Sequence, residues 1–318
     1  MLLAPLPARA TDWHSDPWKS WAAEHPDTRI GAVIAADGRT ASPDDLLRAL
    51  ERAAIVILGE THDNAEHHRL QAYLVDALAR GDRKPAVVME MIGADKSEAL
   101  ARVLLGKTPT PEAIAAALAW AESGWPAWVI YRPIAEAALA HSLPIMAGDA
   151  ARATIRTVGK TGAPPVGTPE PAGLDRPLGA GLEAALDAEL QDGHCGLLPD
   201  QAIPRMRLVQ RFRDATLADA VVHGVAAGGG QAILIAGAGH ARNDRGVPFY
   251  LAGRVPPGAV VSVVLVEVAS GARADPMPRD PTGAAAADYA VITPRAARED
   301  PCAGLAERLR QGRQAPAP

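Results

Sequence analysis

The sequence predicts an α/β fold: a mainly parallel sheet flanked by helices, with a smaller helical subdomain. Three observations predict it. Five short apolar runs alternate with stretches of helical period. Each run is almost continuously aliphatic, as expected of parallel strands covered on both faces. At 318 residues the chain is long enough to bury roughly three quarters of its unfolded surface in a real core.

In chain order, residues 1–28 read as an N-terminal segment. It opens with MLLAPLPARA, whose Ala-Arg-Ala resembles the cleavage end of a signal peptide, although the basic start is missing and the apolar part is short. It also carries Trp13, Trp18 and Trp21, read as a docking stretch. The first strand is Ala54 to Leu58 (AIVIL). After it, Asp63 and Glu66 have the spacing of an Asp-led capping box, and Leu70, Tyr73, Leu74, Ala77 and Leu78 recur with helical period until Gly81. The expectation is a helix from about Asp63 to Arg80. The second strand is Ala86 to Met89 (AVVM). The next stretch, about 95–141, exceeds an ordinary crossover and reads as the helical subdomain, with helices at Ser97 to Leu105, Pro111 to Ala121 and Ile134 to His141. Leu143 to Ala147 is the third strand. Residues 158–181 hold six Gly and five Pro and read as a loop. A long helix runs from about Pro204 to Ala226 with Leu208, Phe212, Ala215 and Val222 on one stripe and Arg205, Arg207, Arg211 and Arg213 at its start. Ala232 to Ala236 (AILIA) and Val260 to Val266 (VVSVVLV) are the last strands, and residues 303–318 form a polar tail.

Composition removes several function classes. A net charge of −5 supplies no basic field for nucleic acid or anionic lipid. No apolar run approaches the ~20 residues of a transmembrane span. Two cysteines, Cys195 and Cys302, exclude CxxC zinc and CxxCH haem-attachment sites but allow one bridge. Only 4% of the residues are aromatic, and Trp120, Trp125, Trp128 and Tyr131 form a second local cluster.

Chemistry concentrates at strand ends. Gly59-Glu60-Thr61-His62 comes directly after AIVIL, and Gly237-Ala238-Gly239-His240 directly after AILIA. In an open α/β sheet ligands bind at the carboxyl edge, and glycine permits the sharp turn there. His62 precedes a helix N-terminus, which favours a neutral imidazole. Glu90 ends AVVM on the same edge. Glu60, His62, Glu90 and His240 therefore make a constellation able to hold Zn, Mn or Fe, or to run acid–base chemistry. One such histidine is ordinarily a hydrogen-bonded structural residue, whereas two in the same context argue for a site. His67 and His68, one turn inside the helix, read as structural.

The segments LGETHDNAEHH (Leu58 to His68) and GAGHARNDRGVP (Gly237 to Pro248) resemble the ChaN-like haem-binding uptake family, of the superfamily that includes the Tiki and TraB proteins. VVMEM (Val87 to Met91), WVIYRP (Trp128 to Pro133), HCGLLP (His194 to Pro199), QRFRDATLA (Gln210 to Ala218) and DYAVITPRAAREDPC (Asp288 to Cys302) match as well, so the resemblance spans about residues 29–302. It implies non-covalent binding of ferric haem in bacterial iron uptake, with a tyrosine on the iron, since phenolate is a hard donor suited to ferric iron. Of Tyr73, Tyr131, Tyr250 and Tyr289, Tyr131 is expected in that role because it comes after three tryptophans that could wall a porphyrin. His62 or His240 would hydrogen-bond a distal ligand, and Arg242, Arg132 or the Arg205–Arg213 group would meet the propionates. The site is expected to be shared in a homodimer, and the uptake receptor is not readable. The family's setting implies the cell envelope or periplasm, although no acylatable Cys lies near the N-terminus, and in an exported protein Cys195 and Cys302 are expected to pair. The rival that the superfamily implies is a divalent-metal-dependent hydrolase, a peptidase or esterase using Glu60, His62, Glu90 and His240 as ligands.

Overall fold

The computed structural model describes residues 13–268, 276–300 and 302–303. Its helices are α1 (Pro17–Glu24), α2 (Pro43–Arg52), α3 (Ala65–Ala79), α4 (Ser97–Leu104), α5 (Pro111–Ala117), α6 (Trp128–Ala140), α7 (Arg152–Thr161), α8 (Ala180–Gly193), α9 (Ile203–Ala227) and α10 (Val247–Leu251). Its strands are β1 (Val33–Ala35), β2 (Thr40–Ala41), β3 (Ile55–Glu60), β4 (Ala86–Gly93), β5 (Ile145–Asp149), β6 (Ala232–Gly237), β7 (Val260–Glu267) and β8 (Tyr289–Thr293).

They form one eight-stranded sheet in the order β2-β1-β8-β7-β3-β6-β4-β5. All pairs from β8 to β5 are parallel, and β1 runs antiparallel to β2 and β8. The fold is thus α/β with a mostly parallel sheet. Side chains alternate across it. Val56, Leu58, Ile233 and Ile235 meet α2 to α6 on one face, while Ile55, Ile57, Leu234 and Ala236 meet α7, α9 and α10 on the other.

Register positions the chemistry. Glu60 of β3 pairs with Gly237 of β6, and Met89 of β4 pairs with Ile235, so the three strands end side by side. Glu60, Gly237 and Glu90 therefore share one edge. β5 adds Asp149 beside Gly93, beyond an irregularity in β4.

The differences from expectation have physical causes. β1, β2 and β8 are short strands at one end of the sheet, and the two-residue edge strand β2 has no apolar run to reveal it. Asn64 rather than Asp63 caps α3, accepting from the amides of Glu66 and His67. α6 starts at Trp128, before Pro133, because the carbonyl left unpaired by the proline belongs to Val129 on the exposed first turn, which water can reach. α7 and α8 take both ends of the expected 158–181 loop, leaving residues 162–179, with Gly162 at φ +83° stopping α7. The tail beyond residue 303 lies outside the described residues.

The N-terminal tryptophans dock onto the first face. Trp13 Nε1 donates to Glu136 at 3.1 Å, Trp18 Nε1 to the Gly31 carbonyl at 2.9 Å and Trp21 Nε1 to Glu66 at 2.5 Å. Cys195 and Cys302 are joined by a disulfide. Among the described residues no helix is long and apolar enough to cross a membrane.

Candidate ligand-binding site

The first Gly-x-x-His turn is built around a buried carboxylate. Glu60, 2% exposed, takes three partners: His62 Nδ1 at 3.0 Å, the Tyr131 hydroxyl at 3.0 Å and His68 Nδ1 at 3.1 Å. Burial alone would raise the Glu60 carboxyl, but the His68 charge and the hydrogen bonds from both histidines outweigh it and hold its pKa at about 2. Burial opposes the charge on His68, which Glu60 nevertheless raises above its ordinary value. The other His68 nitrogen donates to the His62 carbonyl at 3.0 Å. His67 is the reverse case. Its Nδ1 accepts from the Thr61 amide at 2.9 Å, its Nε2 meets Thr293 Oγ1 at 2.7 Å, and burial pushes its pKa down to about 3. Both residues thus shape the turn from inside.

His62 is the outward member, with 36% of its side chain exposed. Its Nδ1–H donates to Glu60, so the neutral ring carries its lone pair on Nε2, which has no hydrogen-bond partner among the described residues. A carboxylate on one ring nitrogen of a histidine orients the other toward a ligand.

The second turn carries a buried ion chain. His240, 4% exposed, lies between Asp214 at 2.6 Å on Nδ1 and Glu90 at 3.3 Å on Nε2. Glu90 also binds Arg213 at 2.6 Å and accepts from the Gly237 amide at 2.7 Å, and Arg213 reaches on to Asp149 at 2.7 Å. Burial opposes charge on His240, but Glu90 and Asp214 raise its pKa to about 10. Glu90 is held well below its ordinary range by His240 and Arg213 despite burial. A histidine with raised folded pKa contributes stability in full below its ordinary 6.5 and loses it as pH climbs through about 10. Urea midpoints of the wild type should therefore fall across that window, and those of a His240→Gln variant should change less.

The two glycines do more than permit a turn, and neither Gly59 nor Gly237 has positive φ. A Cβ on Gly59 would lie 2.6 Å from the Ala241 Cβ, and one on Gly237 would lie 2.9 Å from His62 Nε2. Each turn thus packs into the space its neighbour leaves. Gly59→Ala should cost about 1–3 kcal/mol by overpacking, measurable as a lowered denaturation midpoint.

Beside these turns opens a cavity of about 880 Å³, lined by Trp120, Trp125, Met91 and Leu118, with Glu90, Asp149 and Arg213 also on its wall and the exposed Arg152 and Arg156 beside them. The volume suits a small-molecule pocket, roughly 300–1,000 Å³. His62 does not line it but packs on its wall, its ring 4.9 Å from that of Trp125 and its Nε2 beside Gly237, where an added Cβ would meet it at 2.9 Å.

Several expected roles are revised by this geometry. Tyr131, expected on the iron, is wholly buried, packs on Trp120 and His68, and donates to Glu60 and the His62 carbonyl. Its oxygen is not presented to the cavity, and burial beside Glu60 pushes its pKa far up, away from phenolate. His240, expected near a distal ligand, is a buried cation with both nitrogens engaged. Arg242, expected at a propionate, is paired with Asp244 at 2.8 Å and does not line the cavity. Arg132 pairs with Glu136 at 2.8 Å. Of the α9 arginines, Arg207 binds Glu183 and Asp187, Arg211 binds Tyr250, and Arg213 reaches the cavity. The metal constellation does gather, but Arg213, His240 and the Gly237 amide surround Glu90, and His62, His68 and Tyr131 surround Glu60, whose Oε2 is left without a hydrogen bond. Among the described residues no group of three or more such side chains is placed to hold a metal ion, so the set does not fit one.

Sequence reasoning missed Asp149 and Asp214, and it offered Arg213 only as one of a group of arginines that would meet propionates, not as the cation between Glu90 and Asp149. Asp149 ends β5, whereas Glu90 sits within β4, which runs on to Gly93. Asp214 shares a stripe with Leu217, Ala218 and Val221, so a carboxylate on an apolar helix face was the available signal.

A mostly parallel sheet covered on both faces, with an aromatic-walled cavity at its carboxyl edge, is the architecture in which α/β proteins place small-ligand sites. Residues 46–251 match the family described as haem-binding uptake, Tiki superfamily, ChaN, and the chain belongs to that family. It is similar in fold to a solved structure described as cofacial heme binding to ChaN of Campylobacter jejuni, at 20% identity and TM-score 0.64, covering 83% of this chain and 96% of that one. A type III effector, HopBA1, matches at 12% identity and TM-score 0.44, covering 86% of this chain and 100% of that one. No curated protein matches.

Proposed function

We propose that this protein binds ferric haem non-covalently in the cavity beside His62, as part of haem uptake. The observation that carries the reading is one cavity whose wall combines Trp120 and Trp125 with the exposed cations Arg152 and Arg156, with the half-exposed His62 packed against Trp125. A porphyrin is flat and apolar with two carboxylates at one edge, so aromatic walls and arginines complement its two halves. His62 Nε2, oriented through Nδ1 by Glu60, is the donor available to the iron, while Glu60 stays ionised behind it. A histidine thereby takes the role that the family resemblance gave to a tyrosine. Family membership supports the ligand, and the donor set speaks against the metal-dependent hydrolase.

The disulfide supports export to an oxidising compartment such as the periplasm, since such bridges rarely persist in the cytosol. Titration of the apo-protein with haemin tests the cavity. Trp125→Ala should weaken haemin binding roughly three- to tenfold through loss of aromatic contact, whereas Trp18→Phe, on the remote docking segment, should leave it unchanged. Equal affinity in Trp125→Ala and wild type would remove the cavity from the account.

A further inference from the structure

The chain that leaves β8 crosses back to the turn bearing His62. Asn64, which caps α3 through its side-chain oxygen, gives both amide hydrogens to this region, one to the Pro294 carbonyl at 2.9 Å and one to Glu267 at 2.6 Å. Every hydrogen-bonding position of that amide is used. The Ala296 amide donates to Glu267 at 3.1 Å. Arg298 then binds Asp63, the residue after His62, at 2.7 Å and Glu267 at 2.7 Å. Four residues later Cys302 is bonded to Cys195, just past the end of α8. α8 belongs to the second turn, because its Glu189 pairs with Arg245 and its carboxylate would meet a Cβ on Gly239 at 3.0 Å. One short segment therefore joins the two Gly-x-x-His turns from outside, held at one end by ion pairs and at the other by a covalent bond.

We propose that residues 294–300, with Cys302, are a positioning strap for the site: the disulfide anchors the strap, and Arg298 carries that anchor to Asp63, fixing the turn that presents His62. Arg298 is a positioning residue and touches no ligand. The inference rests on the reading of His62 as the residue that faces the ligand. Glu60, His67, His68 and Tyr131 hold the turn from inside, and without a hold from outside it would sample more orientations of the imidazole, each of which would dilute the competent one and lower apparent affinity by that fraction. Surface ion pairs are individually weak, but Arg298 makes a two-carboxylate junction on a chain end whose other side is covalently fixed. Freeing either end should therefore loosen the same turn.

The test compares full-length wild type, Cys302→Ser, Arg298→Ala and Arg298→Lys by amide hydrogen exchange and by haemin titration. Local opening is read from amides 61–67, and global stability from β3 and β6. Cys302→Ser and Arg298→Ala should each speed exchange at 61–67 by roughly tenfold while the strand amides stay protected, Arg298→Lys should restore only part of the protection because an ammonium lacks the fork that reaches two carboxylates, and haemin affinity should fall several-fold in step. Unchanged exchange at 61–67, or a rise that is equal in the core strands, would overturn the strap. If exchange at 61–67 responds as expected but no variant, nor the wild type, binds haemin, the strap stands and the haem reading fails. If haemin binds normally while exchange is unchanged, the haem reading stands and the strap fails.

Discussion

Replacing Arg213 by leucine should destabilise the protein by about 3–5 kcal/mol, the cost of leaving buried carboxylates without their cation. The size reflects the partners Arg213 holds. It is shared by Glu90 and Asp149, both nearly inaccessible to solvent, at 2.6 and 2.7 Å. Glu90 would retain His240 and the Gly237 amide, but Asp149 would keep only the Ala150 amide at 2.7 Å. Arg213→Lys should recover part of the loss, because an ammonium cannot reach two carboxylates with the fork of a guanidinium. Chemical denaturation read by tryptophan fluorescence measures both. A loss under ~1 kcal/mol for the leucine variant would mean that water or rearrangement supplies what the chain Asp214–His240–Glu90–Arg213–Asp149 is held to supply.

His62→Ala should abolish tight haemin binding, and Glu60→Gln should weaken it by about 10–100-fold, the usual cost of removing the group that orients a ligating histidine. The two effects have different origins. Alanine removes the open Nε2, whereas glutamine leaves the ring in place but neutralises the carboxylate that fixes its tautomer. Tyr131→Phe is the informative contrast. Its hydroxyl donates to Glu60 and to the His62 carbonyl, so its loss disturbs support for His62 without removing a ligand. Its affinity should stay within a few-fold of wild type, and its haem spectrum should keep the wild-type band positions. Haemin titration of the three variants by visible absorption decides between histidine and tyrosine ligation.

The carboxyl edge was legible because its signals are local. AIVIL-Gly-Glu-x-His and AILIA-Gly-x-x-His mark the ends of two strands and the turn residues just beyond them, and AVVM-Glu marks a third. The parallel pairing then brings Glu60, Gly237 and Glu90 into line. The division of labour between the histidines was not legible, because it depends on partners far along the chain. His62 and His240 occupy the same place in equivalent turns, yet one meets Glu60 and stays partly exposed beside Trp125 and the other is enclosed by Asp214 of α9 and Glu90 of β4. Tyr131 was misplaced for a related reason. Its neighbours in sequence are tryptophans, but on α6 the tyrosine points into the core against Trp120, while Trp125, in the bend before the helix, faces the cavity. The C-terminal strap left no periodic trace, and only the family-like segment DYAVITPRAAREDPC that contains it marked it.

The most direct measurement is an iron-edge anomalous difference map from crystals of the haemin-loaded protein. The account predicts a single iron peak per chain within coordination distance of His62 Nε2, with the porphyrin against Trp125 and its carboxylates toward Arg152 and Arg156. An iron peak on a tyrosine oxygen, or one away from the Trp125 cavity, would contradict it.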